Sequence, residues 1–494
     1  MKRINKKDLI IYIITLAITC VIFIPLLAGH YASDSYNIYN IGYHDYAIKY
    51  SLNDGRIFMA ILGLIAGKIN ISINAYIFIT LFGALLISNI TVVVLNKIIK
   101  KYKEPKNIFQ EIIVVIISYI TVFNFMYLEN MYFVECIVMA ASVLLFIISA
   151  NILVEKNNKY FIKSLILTIL GVMFYQGTIG MFFAFAFLFT ILKNKNNIKQ
   201  ILIDFMQSGI IAGIGVGLDL LIVKIVGNII NMNQSRYGSL SNIPNNIIYI
   251  FSKLSIIMKE NCGLFPENAL IIFLNIITII VIIYQAQNIN KEDNTIFKYL
   301  AILFITIASS FVIHLMTLTS FYTGRLKNPI GALVGIIFIF LYVDTNILNN
   351  KGKLSKVTLI TLMAFTIINV FNYENIILQH KKVNELEKQE VQEMEEYIKN
   401  YEESTEIKVT KIIKIPLYDK SKGYFTNIKN KSVYAYNSMR TYWASEGIIN
   451  LYTKRNLKNV YITKQQKEYY EQNHDIQRGY ECIGDTLYVS IYIN

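Results

Sequence analysis

"NAYIFITLFGALLISNITVVVLNKIIKKYKEPK", residues 74–106, is the stretch that decides the fold. Residues 74–96 contain no Asp, Glu, Lys or Arg, and residues 97–106 contain five lysines. A helix needs about 20 apolar residues to cross ~30 Å of hydrocarbon. Lysines crowded just beyond such a run mark the cytoplasmic flank. Working outward, ten more apolar segments stand at about 9–28, 108–128, 132–154, 161–175, 178–192, 201–227, 269–286, 299–317, 329–343 and 356–372. Two of these, 161–175 and 178–192, are short and separated by "YQGT" at 175–178, which reads as two spans meeting at a shallow turn.

Composition agrees with this pattern. Of the 494 residues 54% are hydrophobic and only 16% charged, against about 25% charged in ordinary soluble domains; the mean hydropathy is +0.45. The expected fold is an α-helical polytopic membrane protein of about eleven spans, residues 1–372, followed by a small α+β domain, residues 373–494. The net charge of +14 does not point to nucleic acid, because the last region is nearly balanced, with 18 Lys/Arg and 17 Asp/Glu. The excess sits in short loops, and the basic, aromatic-interleaved patch that nucleic acid requires is absent. Four scattered cysteines (Cys20, Cys136, Cys262, Cys482) and five scattered histidines show no metal-ligand spacing or disulfide framework. No internal repeat, Walker motif or dinucleotide motif is present, so neither ATP nor NAD is implied.

The apolar run from Leu9 to Ala28 exceeds a secretory h-region and is read as a retained first span. With the N-terminus inside, the cytoplasmic loops carry Lys2, Arg3, Lys6 and Lys7; Lys97, Lys100, Lys101, Lys103 and Lys106; Lys156 and Lys159; Lys193, Lys195 and Lys199; Lys291 and Lys298; and Lys351, Lys353 and Lys356. An odd number of spans places the C-terminal region outside.

Three outer segments are long: 29–73, 228–268 and 373–494. In the first, "IFMAILGLIAGKI" at 57–69 is too short to span and suits a helix lying at the interface. The third opens with a charged helix whose apolar stripe is Val383, Leu386, Val391, Met394, Ile398 and Tyr401. "TEIKVTKIIKIPLYD" at 405–419 alternates as a strand, a helix is expected near 437–453 with Trp443, and "NVYITK" and "ECIGDTLYVSIYI" read as strands, the latter with a Gly-Asp hairpin turn.

The polar stretch "AGHYASDSYNIYNIGYHDYAIKYSLNDGR", 28–56, follows the first span directly. It puts Asp34, Asp45, Asp54 and Arg56 at the outer membrane edge, where a carboxylate can act as general base and an arginine can grip a phosphate through two oxygens. A solvated loop is the plainer alternative. Glu129 and Glu135 flank another outer turn; Glu135 lies close to an apolar run, where an ionisable group is expensive and often functional, although a solvated helix end would also have one. Tyr175 and Gln176 either bond a sugar or shape a turn. Arg325, near Tyr322 and Lys327, is either a second phosphate ligand or a snorkelling anchor. Arg236 and Tyr237, in "NQSRYGS", either close over a ligand or belong to an ordinary loop. Asp219 and Lys224 receive no role.

"SDSY" at 33–36 followed by "DGR" at 54–56 and a short apolar helix resembles the first outer loop of the type II O-antigen glucosyltransferase family, which is GT-C-class and polyprenyl-phosphate-sugar-dependent. "FYQGTIGMF" at 174–182 is similar to that family's Tyr-Gln turn, and "FYTGRLKNP" at 321–329 to its late outer-loop arginine. Where the family often has paired aspartates, this chain has Ser33-Asp34, a single carboxylate. The resemblance implies inverting transfer of a sugar, glucose by analogy, from a polyprenyl-phosphate donor to a cell-surface glycan or wall polymer on the outer face, with no cofactor beyond that lipid-linked substrate. Asp34 would be the base and Asp54 the second catalytic carboxylate. Arg56, Tyr175, Gln176, Arg236, Glu129, Glu135, Tyr322 and Arg325 would contact substrate.

Two other classes compete. A transporter or flippase for a lipid-linked sugar would show repeated halves and broken helices at midplane; neither is visible, and the polar residues concentrate at the outer edge. A scaffold presenting the C-terminal domain leaves the Asp/Arg cluster of the first loop unexplained. The topology is directly testable: a sidedness reporter fused after Asn494 is expected to be active outside the cell, and one fused after Lys101 inside. A cytoplasmic C-terminus would make the span count even.

Overall fold

The computed structural model describes residues 6–229, 240–288, 294–315, 323–349, 352–417, 438–441, 443–465, 468 and 479–492. Helix α1 (Lys6–Leu27) leads into α2 (Ser33–Tyr46), which tightens into a π-helical turn (Ala47–Leu52) before α3 (Ile57–Lys68). Then come α4 (Ile73–Tyr102), α5 (Ile108–Val122), α6 (Cys136–Glu155), α7 (Tyr160–Tyr175), α8 (Gly180–Asn194) and α9 (Ile198–Ile229). Helices α10 (Ile243–Glu260), α11 (Ala269–Gln287), α12 (Thr295–Ser309), α13 (Asn328–Asp344) and α14 (Lys353–Thr405) follow. The chain ends in β1 (Lys411–Leu417), α15 (Ser445–Thr453), β2 (Lys458–Asn459), β3 (Tyr480–Ile483) and β4 (Thr486–Tyr492).

Among the described residues, seven helices are long and apolar enough to cross a membrane: α1, α4, α6, α7 with its following turn, α9, α11 and α14. Shorter apolar helices α5, α8, α12 and α13 match the remaining apolar segments, and α3 is the short interfacial candidate. The chain is thus a polytopic helical membrane protein by the length and composition of its helices. Its outer surface supports this: α1 exposes Ile10, Ile14, Ile18 and Val21, and α9 exposes Met206, Ile210, Leu221 and Ile225. Water would not tolerate so large an apolar belt, whereas lipid does. Helix α13 is the opposite case, buried at every residue from Asn328 to Tyr342. It is apolar on all sides because protein surrounds it on all sides. Gly331 and Gly335 let it approach Asn124 and Thr121 of the α5 end more closely than any side chain would allow.

The connections sort to two ends. At one, Lys97 pairs with Asp8 at 3.0 Å, Lys100 with Glu111 at 2.8 Å, Lys101 with Glu155 at 2.7 Å, Lys156 with Asp204 at 2.6 Å and Lys298 with Asp344 at 3.1 Å. These are the lysine-rich loops. At the other end lie α2, α3, the 3₁₀ turns Tyr127–Tyr132, Gln176–Thr178 and Gly324–Leu326, and the C-terminal region. The segment 29–56 is not a loop: it is mostly helical, and a kink at Gly42 (φ +84°) redirects it.

Helix α14 runs without a break from the membrane through residue 372 to Thr405. Its buried Val391, Met394 and Ile398, members of the anticipated stripe, form a core with Ile412, Ile448, Leu487 and Val489. The strands make one sheet of order β2-β1-β4-β3, with β1 parallel to both neighbours and β3–β4 a hairpin turning at Gly484-Asp485. The helix near 437–453 is α15, a short element that begins at Ser445.

Arg455, just past α15, joins it to α14. Its guanidinium donates to Glu395 at 2.5 and 3.0 Å and to Glu402 at 2.7 and 3.1 Å. The Arg455 bonds hold the Glu402 carboxyl below its usual range. A carboxylate depressed in the fold contributes stability above its unfolded pKa of about 4.3, and that contribution disappears as pH falls through the folded value. Hydrogen exchange in α15 is therefore expected to accelerate on acidification below about pH 4. Glu402→Gln should speed it at neutral pH by an amount equivalent to about 1 kcal/mol and flatten its acid dependence.

Candidate functional site

The π-helical turn after α2 closes on residues 54–56. Asp54 N–H donates to Tyr50 O, Gly55 N–H to Leu52 O and Arg56 N–H to Ser51 O, at 3.2, 3.1 and 2.9 Å. Gly55 has φ +79°, a left-handed conformation that glycine adopts without strain. A methyl there would also stand 2.7 and 2.8 Å from the two carboxylate oxygens of Asp219 on α9. This turn aims Arg56 inward. Its Nη1 meets Glu135 Oε2 at 2.9 Å and its Nη2 meets Asp54 Oδ2 at 3.5 Å. The guanidinium lies 5.3 Å from the centre of the Tyr175 ring. Tyr46 donates its hydroxyl to Glu135 Oε1 at 2.9 Å, and Gln176 donates its amide to the Asp54 carbonyl at 2.5 Å. Five of the anticipated residues, Asp54, Arg56, Glu135, Tyr175 and Gln176, thus form one contiguous, largely buried network.

Beside it stands a second group. Glu129 is buried and accepts the Arg325 backbone N–H at 2.5 Å. The Arg325 guanidinium sits over the Phe133 ring at 4.1 Å, and no carboxylate pairs with it within 4.0 Å among the described residues. Glu129, Tyr175 and Asp34 all lie within its electrostatic range. Tyr175 lies within range of both arginines. Asp34 is half-buried in the first turn of α2 and also acts electrostatically on Tyr46. Lys327, buried just before α13, has its ammonium on His314 Nε2 and 4.9 Å from the Phe311 ring centre. Burial pushes that ammonium down to about 7.

Some polar atoms here have no protein partner among the described residues: both side-chain polar atoms of Asn130, Gln176 Oε1, and the Nε atoms of Arg56 and Arg325. Asn130 is fully buried. Asp45 stands apart, exposed and paired with Lys49 at 2.6 Å. Arg236 and Tyr322 lie outside the described residues. Four residues, Asp219, Tyr46, His314 and Asn130, joined the site without having been assigned to it. Asp219 had a usable signal, a carboxylate inside an apolar run; Tyr46 and His314 had none. No grouping of three or more His, Cys, Asp or Glu able to hold a metal occurs among the described residues.

Comparison with known proteins adds no identity: no family model matches the chain, and no curated protein is significantly similar to it.

The two arginines are therefore expected to respond differently. Arg56 is committed to Glu135 and Asp54, and removing one member of a buried pair costs about 3–5 kcal/mol. Arg56→Ala should lower thermal stability of the purified protein by roughly that amount, whereas Arg325→Ala, which removes a cation–π contact, should cost about 0.5–2 kcal/mol. Equal losses would mean that the Arg325 guanidinium is also a structural partner.

Proposed function

We propose that this chain is a GT-C-class membrane glycosyltransferase. It crosses the bilayer eleven times, with α5, α8, α12 and α13 completing the seven longer spans, and keeps its lysine-rich end in the cytoplasm. It transfers a hexose, glucose by the family resemblance, from a polyprenyl-phosphate donor to a cell-surface polysaccharide or wall polymer on the outer face. The observation that carries this reading is the Arg325 guanidinium: it has no ion pair among the described residues, yet the half-buried Asp34 carboxylate is within its electrostatic range.

A lipid-linked donor keeps its isoprenoid chain in the bilayer and its phosphate at the interface. Arg325 supplies a planar, permanently charged fork for that phosphate. Asp34 accepts the proton of an acceptor hydroxyl while that oxygen attacks the anomeric carbon. The bond between the anomeric carbon and the phosphate oxygen breaks, and polyprenyl phosphate leaves with the bonding electrons. Inversion follows from attack on the face opposite the leaving group. Asn130 and Gln176 offer buried donors and acceptors suited to sugar hydroxyls. Arg56 orders the floor of the site through Glu135 and Asp54 rather than meeting substrate.

The test is transfer of radiolabelled hexose from polyprenyl phosphate to cell-wall polymer in membranes with and without the protein. Asp34→Asn is expected to insert normally and lose ~10²–10⁴-fold in turnover, with donor KM little changed. Asp45→Asn should lose much less. No transfer by the wild type, together with movement of labelled lipid-linked sugar across the bilayer, would replace the enzyme reading with a flippase.

A further inference from the structure

Helix α2, "SDSYNIYNIGYHDY", is polar for a buried helix, and Ile38 and Tyr46 anchor its later turns against α3, α4 and α6. Its first turn is gripped by residues more than 340 positions away. Asn384 of α14 accepts the Tyr31 N–H at 2.8 Å and donates to the Tyr31 carbonyl at 3.0 Å, reading both backbone groups of one residue. His380 Nε2 lies 3.0 Å from the same carbonyl. On the other side of Asp34, Tyr36 is fully buried in the C-terminal core with Val391, Met394 and Ile448. Its hydroxyl is 3.2 Å from that of Tyr452. Gly447 of α15 packs directly on the Tyr36 backbone. A methyl at Gly447 would overlap the Tyr36 carbonyl oxygen and stand 2.7 Å from its carbonyl carbon. One turn further on, Asn450 donates to Asn40 at 3.1 Å, so α15 runs alongside α2 in the same direction.

We propose that the C-terminal region is a positioning element for the outer site: α14 above the membrane and α15 hold α2 at Tyr31 and at Tyr36, and thereby set where Asp34 stands between them. The inference rests on the glycosyltransferase reading for the role of Asp34; the grip itself does not. Gly447 and Asn384 are positioning residues, acting through α2 without touching substrate. A base displaced by about 1 Å can lose 10²-fold in rate, so a methyl group at the α15–α2 contact should be felt in turnover.

The experiment uses the full chain in proteoliposomes, with Gly447→Ala and Gly447→Val. Two readouts are taken: transfer kinetics, and the rate at which a cysteine at Ser33 reacts with a membrane-impermeant maleimide. The expected result is a several-fold change in labelling rate in both variants. Turnover should fall about 10-fold for Gly447→Ala and about 100-fold for Gly447→Val, with donor KM unchanged because Arg325 is undisturbed. If Gly447→Val does not fold, Gly447→Ala decides. Unchanged labelling, or changed labelling with wild-type turnover, overturns the proposal. So does a rise in donor KM equal to the fall in turnover, which would mean general loosening of the site. If the wild type transfers no sugar, the enzyme reading fails, and the labelling readout alone decides whether α15 holds α2.

Discussion

The contact between Arg56 and Glu135 is the constraint on which the end of the molecule opposite the lysine-rich loops depends. Both side chains are almost entirely withdrawn from solvent, at 11% and 1% exposure, and meet at 2.9 Å. Charges buried this deeply are tolerable only when paired and further hydrogen-bonded. Glu135 meets that requirement with Tyr46 on its other oxygen, and Arg56 does so with Asp54. The pair therefore ties three pieces of chain into one unit: the end of α2, the 54–56 turn and the start of α6. Because Gln176 also bonds the Asp54 carbonyl, the turn between α7 and α8 is drawn into the same unit.

That unit rests on a membrane body organised around α13. A helix buried on every side has no lipid-facing stripe to orient it, so its place is set by close packing, as where Gly331 and Gly335 admit the end of α5. The same helix carries Arg325 and Lys327 at its outer end, on the 3₁₀ turn and at its N-terminal boundary. The most enclosed helix of the body thus begins beside Arg325 and Lys327. Arg325 is fixed from behind by Glu129, which takes its backbone N–H, while its guanidinium lies over the Phe133 ring with no ion pair among the described residues. The two arginines differ accordingly: one is ion-paired with carboxylates, and the other is stacked on an aromatic ring.

The C-terminal region closes the arrangement from outside. Its core is shared, since Tyr36 of the first outer segment belongs to it along with residues of α14, α15 and the sheet. Helix α14 is both the last apolar segment and the support of this core, running unbroken from one to the other. The Arg455 bridges to Glu395 and Glu402 keep α15 on that support.

What the sequence determined by itself follows from solvent. Long uncharged runs with lysine-rich flanks are legible because lipid penalises charge residue by residue, whatever the neighbours. The apolar helices, the apolar stripe of α14 and the β3–β4 hairpin could therefore be read locally, whereas the polar α2 and the amphipathic α10 could not. Asp54, Arg56 and Glu135 also stood out locally, as ionisable groups close to apolar runs. Only the tertiary structure decided which charges meet. Asp54, Glu135 and Gln176 converge on one turn from chain positions up to 122 residues apart. Arg56 and Arg325, equivalent on paper, receive different partners from the packing: carboxylates within 4 Å for Arg56 and the Phe133 ring for Arg325. The parallel contact of α15 on α2 and the seat of Asp219 against Gly55 were invisible for the same reason. They depend on the absence of a Cβ at a point of close approach, and sequence shows the glycine but not the backbone or side chain that comes to lie against it.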